Sequence, residues 1–382
     1  MSIKFAEGEK GGCPPQKEGE KIDLRIAHWC LFGPRASGMY ETVRELIGAE
    51  MKIEGVLPYF CETPPTNKPN AMEIKRAAEG GRVDPMFPEL RSQDWGLAMK
   101  WADVHVIHST MSNKVGEIKP KVMWLHGTPE ACLQNEVTTE MRSFLSAAEW
   151  VNKFEASICT SRRAFKHWGV FDYTGKKLYQ VKKGIDLSWW QRSTMIQDLD
   201  GEPSVLYGEI WRGIKHPYHL IHAMNILHKR NPKAVLNVWG CNDPDGFWKK
   251  FFSYGNFDRF LGKRGLRGWE EYPSHWYSRG DVLVSPVIHG DVSRTAQEAL
   301  ACGCPTIVWD SDPYGDNVAY KYAKAFDEDN LADRIEEVGN EVLNDREGMA
   351  KKCRELAMKN YDINVEAQQV VDILRTVVSE SK

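Results

Sequence analysis

No stretch of the 382 residues approaches the roughly 20 consecutive apolar residues that a membrane-spanning helix requires, so no span is expected. Charge of one sign is missing too. With 50 Lys+Arg against 53 Asp+Glu the formal net charge is −3, which gives no global attraction to nucleic acid or to an anionic membrane and leaves only local patches. The nine cysteines are odd in number, scattered, and without paired zinc spacing, so reduced thiols in a cytoplasmic, reducing compartment are expected rather than disulfides or a metal clip. The G-x-G-x-x-G dinucleotide fingerprint is absent. No low-complexity tract occurs beyond the first 21 residues, a polar, Gly/Pro-rich stretch with no apolar signal core that reads as a mobile leader. What remains is 42% hydrophobic and 27% charged, ordinary for a soluble globular chain long enough for two or three domains.

From Ile22 onward, short apolar runs alternate with helical stretches, the pattern of parallel sheets covered by helices, and the fold class is therefore α/β. A first half carries strands at Leu24 to Ala27, Val104 to His108, Lys121 to Leu125 and Ala156 to Cys159, with a helix over Tyr40 to Ala49. A second half carries strands at Val205 to Tyr207, Val235 to Trp239, Val282 to Pro286 and Thr306 to Trp309. The expected division is 22–195 and 196–364, with the polar segment Trp189 to Glu202 as connector and the last helix, about Val365 to Val378, crossing back to the first half. Pro58 to Pro69 and Arg82 to Trp95 read as irregular. Leu331, Ile335, Val338 and Val342 trace one face of a helix.

The stretch His289 to Asp310, HGDVSRTAQEALACGCPTIVWD, places a loop, a helix and a buried strand around one carboxylate, Glu298. Such a junction aims backbone N–H groups and the positive end of the helix dipole at an anion. Gly290, Ser293 and Arg294 lie on this junction. Asp291 suits sugar hydroxyls or, equally, the helix N-cap. In YGEIWRGIKHP, Arg212 and Lys215 stand at the mouth of another helix, where two cations neutralise a diphosphate; the competing reading is a pair of solvated surface charges. A carboxylate facing that pocket accepts from two ribose hydroxyls, which is the expected role of Glu298. His126 lies just past a strand, where α/β sheets place functional groups, and either bonds a sugar hydroxyl or caps the helix near Pro129. The loop Gly33 to Gly38, with Arg35 inside it, lies at the corresponding end of the first strand. Arg162, Arg163 and Lys183 belong to a basic stretch interleaved with aromatics, which either grips a phosphate backbone or is a solvated helix face over core rings.

Together these segments resemble the GT-B glycosyltransferases, and most closely the retaining enzymes of glycosyltransferase family four. The resemblance rests on the glycine loop after the first strand, His126-Gly127, Ser161, VKKGIDLSWW, the Arg212/Lys215 pair, VSPVIHG and QEALACGCPTIVWD. The chain departs from the family's Glu-x7-Glu pattern: Glu298 matches the second glutamate, but Gly290 stands at the first, flanked by His289 and Asp291. The resemblance implies two Rossmann-like domains facing each other across a cleft. It implies a hexosyl- or pentosyltransferase that moves a sugar from a nucleotide-diphosphate sugar, a UDP-sugar before a GDP-sugar, to a hydroxyl acceptor with retention. No cofactor and no metal is implied, since no Asp-x-Asp stands where one would be bound. Arg212 and Lys215 would hold the diphosphate, Glu298 the ribose and His126 the sugar or acceptor, with Gly33 and Gly38 near the phosphates. A glycan, a small molecule or, as in virus-type enzymes, a hydroxymethylated pyrimidine of DNA would be the acceptor. A non-catalytic GT-B-like protein that binds nucleotide sugars is the alternative of another class.

Overall fold

A computed structural model describes residues 19, 21–30, 38–62, 91–92, 99–108, 118–130, 149, 151–170, 177–195, 199–211, 213–243, 245–268, 270, 272–288 and 292–381. The chain forms two compact units, Met1–Gly184 with Ile363–Lys382, and Ile185–Asp362. The chain thus leaves the first unit at Gly184, ahead of the Trp189 to Glu202 segment, and re-enters it at Ile363. Each unit is an α/β sandwich around one parallel sheet.

The first sheet has seven strands in the order β3-β2-β1-β4-β5-β6-β7. These are β1 (Leu24–Cys30), β2 (Val56–Glu62), β3 (Arg91–Ser92), β4 (Val104–Ile107), β5 (Lys121–Leu125), β6 (Ala156–Cys159) and β7 (Lys177–Gln180). Helices α1 (Gly38–Glu50) and α2 (Arg162–Gly169) follow β1 and β6. The central strands are buried on both faces, as parallel strands covered by helices must be. Alternate residues Leu24, Ile26, Val104, Val106, Val122 and Trp124 share one core with Leu46 and Ala49 of α1 and with the C-terminal helix. Their neighbours Ala27, Trp29, Ile107, Met123 and Leu125 face a second core on the other side.

The expected irregular stretch from Pro58 begins instead with most of strand β2. Among the described residues Pro58 pairs toward β1 and β3 meets β2 from Phe60 onward, so the proline, lacking its N–H, has a ladder neighbour on one side. Residues 63–69 lie outside the described residues, as do 82–90 and 93–95 of the other stretch expected to be irregular, of which Arg91–Ser92 is strand.

The second sheet has six strands in the order β10-β9-β8-β11-β12-β13. They are β8 (Ser204–Tyr207), β9 (Val235–Val238), β10 (Leu261–Leu266), β11 (Val282–Ser285), β12 (Thr306–Trp309) and β13 (Lys321–Ala323). The helices are α3 (Pro217–Arg230), α4 (Phe247–Tyr254), α5 (Pro273–Tyr277), α6 (Arg294–Ala301), α7 (Glu328–Asn344) and α8 (Arg346–Asn360). Trp190 is buried in this unit's core, whereas Trp189 is exposed. Helix α6 stops at Cys302 because Gly303 adopts a left-handed φ of +86°, and a Cβ there would meet Ala350. The seven described cysteines are buried.

The last helix, α9 (Ile363–Glu380), returns to the first unit. Ile363, Ala367, Val370, Val371, Leu374 and Val377 lie on its buried face, an apolar burial worth on the order of 10 kcal/mol before entropic costs. Arg375 pairs with Asp23 at 3.1 Å, and Glu366 accepts from the Gly184 N–H at 2.7 Å.

On the second face of the first sheet, Trp29 Nε1 donates to His105 Nδ1 at 3.1 Å, so that nitrogen must be unprotonated. Burial lowers the His105 pKa from 6.5 to about 4. Above pH 6.5 the folded and unfolded rings are both neutral and the stability is full; as pH falls from 6.5 toward 4 only the unfolded ring gains a proton. Stability should therefore drop by up to about 3 kcal/mol over that window. Urea denaturation at pH 7 and pH 4.5 checks this, and His105→Asn, which keeps an acceptor that does not titrate, should flatten the dependence.

Candidate functional site

In the second sheet β8 has β9 on one side and β11 on the other. Connections diverge at that point, leaving the carboxyl ends of the two strands as the place where α/β sheets receive ligands. The chain leaves β8 through Gly208, where a Cβ would lie 2.4 Å from the Trp239 ring, so only a glycine lets the backbone pass this close to the indole, and Glu209 follows next. Glu209 is buried. Its Oε2 meets Lys215 Nζ at 2.8 Å, and Lys215 sits on the 3-10 turn Gly213–Lys215 that precedes α3. Its Oε1 accepts from Thr295 at 2.6 Å, from Ser285 at 3.0 Å and from Ser293 at 3.2 Å. Ser285 ends β11, and Ser293 caps α6 by accepting from the Ala296 N–H. One carboxylate thus ties together the loop after β8, the end of β11 and the start of α6.

Burial works against the Glu209 charge. The Lys215 ammonium, with hydrogen bonds from Lys215, Thr295 and Ser285, outweighs it and holds the carboxyl below the usual carboxylate range. Lys215 remains partly exposed, and its ammonium has three N–H donors of which Glu209 takes one.

One turn further along α6 stands Glu298, 6% exposed. Its Oε1 pairs with Arg294 Nε at 2.7 Å, an i,i+4 pair, and its Oε2 accepts from the Tyr277 hydroxyl at 3.1 Å. Burial and then the Glu298 charge push the Tyr277 hydroxyl well above its ordinary pKa, so it stays a donor. Arg294 lies 6.0 Å from the centroid of Trp190.

Arg212, Gly290 and Asp291 lie outside the described residues, as do Gly33 and Arg35. The helix N-cap is Ser293, so the cap reading of Asp291 is replaced; the serine has the short hydroxyl that reaches the N3 N–H. Gly38 is the first residue of α1 and accepts from Thr42 Oγ1 at 2.9 Å. In the first unit His126 follows β5, and its Nε2 bonds His108 Nδ1 at 3.1 Å. The basic stretch divides: Arg162 is exposed and Arg163 half-buried in the first turn of α2, Lys177 is paired with Glu380, and Lys183 is buried. Glu209 was missed at the sequence level, where a lone acid after glycine reads as solvated. The signal available was its place two residues past an apolar strand.

Residues 204–341 match the family model Glycosyl transferases group 1, a stretch that contains Glu209, Lys215, Tyr277, Ser285, Ser293, Arg294, Thr295 and Glu298. No curated protein matches the chain in sequence. Among solved structures it is similar to Anabaena HepE in complex with UDP and glucose (12% identity, TM-score 0.63, covering 92% of this chain and 100% of that one). It is similar also to the pneumococcal O-GlcNAc transferase GtfA in complex with UDP and GlcNAc (11%, 0.63, 93% and 99%). A third is sucrose-phosphate synthase from Thermosynechococcus elongatus (15%, 0.66, 94% and 100%). At such identities the likeness establishes the fold, that of the GT-B glycosyltransferases.

Removing one member of a buried ion pair leaves the other charged and unpaired, at a cost of about 3–5 kcal/mol. Lys215→Met should destabilise the protein by that order in urea denaturation, and Glu209→Gln in the same chain should recover most of the loss. Additive losses would show that the two side chains do not share one interaction.

Proposed function

We propose that this chain, whose second unit matches Glycosyl transferases group 1, transfers a sugar from a nucleotide-diphosphate sugar to a hydroxyl acceptor, with retention and without a metal. The observation that carries the reading is the coincidence of the matched stretch with the polar cluster at the end of β8 and β11. The donor is taken to be a UDP-sugar, because solved structures of like fold hold UDP with glucose or GlcNAc.

The chemistry follows from the charges. As the anomeric C–O bond breaks, its electron pair and negative charge move onto the departing diphosphate, and preorganised donors aimed at that charge lower the barrier. Lys215, held in place by Glu209, and Arg212 supply the positive charge. The start of α6, capped by Ser293, adds backbone N–H groups. Glu298, oriented by Arg294 and Tyr277, accepts from the ribose hydroxyls. Cations built into the protein do what a bound divalent ion does in other transferases.

Lys215→Ala or Arg212→Ala should lower kcat at least about a hundredfold, the scale of losing one oxyanion donor. Glu298→Gln should instead raise KM for the donor, by roughly tenfold to a hundredfold, with a smaller change in kcat. A panel of UDP- and GDP-sugars, followed by calorimetric binding and by slow donor hydrolysis without acceptor, checks both. Donor binding with no turnover on any acceptor would favour the non-catalytic reading, and no binding at all would remove the proposal.

A further inference from the structure

Three strands of the first sheet carry one pattern, with the histidine inside β1 and just past β4 and β5: Leu24-Arg25-Ile26-Ala27-His28, Val104-His105-Val106-Ile107-His108 and Val122-Met123-Trp124-Leu125-His126. Each reads apolar-x-apolar-x-His, and because side chains alternate across a strand, the three histidines fall on the face whose other members are Leu24, Ile26, Val104, Val106, Val122 and Trp124. The strands are adjacent in the order β1-β4-β5. Their register places His28 opposite Val106 and Val106 opposite Val122, so each histidine stands one pleat beyond the last. The rings meet along that diagonal, with centroids 5.2 Å and 5.3 Å apart. His28 Nδ1 lies 2.9 Å from His108 Nε2, and His108 Nδ1 lies 3.1 Å from His126 Nε2. At the inner end His28 Nε2 lies 2.8 Å from Glu50 Oε2, from the last residue of α1.

Glu50 and His28 are 0% exposed and His108 is 1% exposed; of the four only His126 is partly exposed. The outer oxygen of Glu50, Oε1, is buried and meets no donor among the described residues. Every ring nitrogen inside the chain is shared with a neighbour, so the tautomers are not independent. With Glu50 ionised, His28 must donate from Nε2. His108 then donates from Nε2 to His28 Nδ1, and His126 from Nε2 to His108 Nδ1. With Glu50 protonated, all three rings carry their proton on Nδ1 and every bond points the other way. These two states differ by one proton and keep all three rings neutral. Burial, and then the neighbouring His28 and His126, hold His108 well below the usual imidazole range, which fits a ring that passes a proton on rather than storing charge.

We infer that Glu50, His28, His108 and His126 form one proton relay, which lets His126 act as a general base toward an acceptor hydroxyl while the proton's destination is the buried Glu50 carboxylate. The base role rests on the transferase reading above; the relay itself does not. In the transfer step the acceptor oxygen bonds to the anomeric carbon on the face from which the diphosphate departs, so configuration is retained, while the anomeric C–O bond breaks and its electron pair leaves with the diphosphate. The hydroxyl proton goes to His126 Nδ1 as the Nε2 proton passes to His108 Nδ1, the His108 Nε2 proton to His28 Nδ1, and the His28 Nε2 proton to Glu50 Oε2. One negative charge disappears from Glu50 as one appears on the nucleoside diphosphate. The reverse sequence returns the proton to solvent. Glu50, His28 and His108 act through His126 and are positioning residues. Other buried carboxylates on the two helices of this face have partners of their own: Glu45 of α1 lies 4.0 Å from Arg44, and Glu366 of α9 accepts from the Gly184 N–H.

Glu50→Gln tests this, since the amide oxygen still accepts from His28 but cannot take up a proton. In histidine-resolved nitrogen NMR of the full chain, the wild type should show His28 and His108 in the same tautomer and His126 taking up its proton with them. In Glu50→Gln the midpoint of His126 uptake should fall by at least one pH unit, about a tenfold loss of proton affinity. His108→Phe should abolish that effect, so that His108→Phe and the Glu50→Gln/His108→Phe double variant show one His126 midpoint. In turnover, Glu50→Gln should lower kcat about tenfold or more with KM for the donor unchanged. The same His126 midpoint in Glu50→Gln and wild type, or opposite tautomers for His28 and His108, overturns the relay. Intact NMR coupling with no transfer on any acceptor overturns the base role and the transferase reading and leaves the relay standing.

Discussion

A carboxylate removed from water holds in place whatever bonds to it, and each unit of this chain buries such a group near the ends of central strands. Glu209 in the second unit and Glu50 in the first are almost inaccessible. An isolated carboxylate in such a place costs several kcal/mol, so the side chains around it are fixed in position as a condition of folding. Glu209 fixes Ser285, Ser293, Thr295 and Lys215. Glu50 fixes His28, and through it His108 and His126. In both units the reach of the carboxylate ends on a residue with partial exposure, Lys215 or His126. In each unit the buried carboxylate orients a side chain nearer the surface.

The topology explains why both clusters lie where they do. In the first sheet β1 stands between β2 and β4, and in the second β8 stands between β9 and β11. Successive connections leave in opposite directions at these strands, and the polar side chains gathered at their ends bond to one another and to the neighbouring helices. His28 and His108 sit on β1 and just past β4, and Glu209 and Ser285 on the corresponding pair in the second sheet. The small residues Ala296, Ala299 and Ala301 of α6 are buried, which lets the helix approach the sheet closely and brings Ser293 and Thr295 onto the Glu209 carboxylate. The left-handed Gly303 then turns the chain straight back into β12.

Much of this architecture was legible in the sequence. The inner strands β1, β4, β5, β6, β8, β9, β11 and β12 announce themselves as apolar runs, because a parallel strand covered on both faces has no polar side to show. The outer strands did not: Lys177–Gln180, Leu261–Leu266 and Lys321–Ala323 carry lysines and glycines on partly solvated edges, and β2 contains Pro58. Burial also separates the site residues that were legible from those that were not. Glu298 and Lys215 stood out by motif. Glu209 and Glu50 did not, because a single acid beside a glycine or at a helix end has the composition of a surface residue, and only the fold shows that it is enclosed. The three histidines carry a readable signal, the same apolar-x-apolar-x-His pattern three times, but the sequence does not state that β1, β4 and β5 are neighbours.

The pairing of Lys215 with Glu209 raises the question of whether that cation still serves an anion. Two ion pairs, Lys215–Glu209 and Arg294–Glu298, leave the described part of the second cluster close to neutral. With an effective dielectric of about 20, a phosphate charge about 4 Å from the Lys215 ammonium gains about 4 kcal/mol, while Glu209, about 7 Å from that phosphate, opposes it by about 2.4 kcal/mol. The balance is attractive by about 2 kcal/mol, and the start of α6 adds about 0.3–1 kcal/mol. A neutral ground state with a small net attraction binds a resting diphosphate weakly. The attraction grows as charge builds on the leaving oxygen, since the ammonium is nearer than the carboxylate to any group that reaches it. In the proposed transfer, Glu209 would therefore limit ground-state binding more than it limits stabilisation of the transition state, which is the distribution of binding energy that raises kcat.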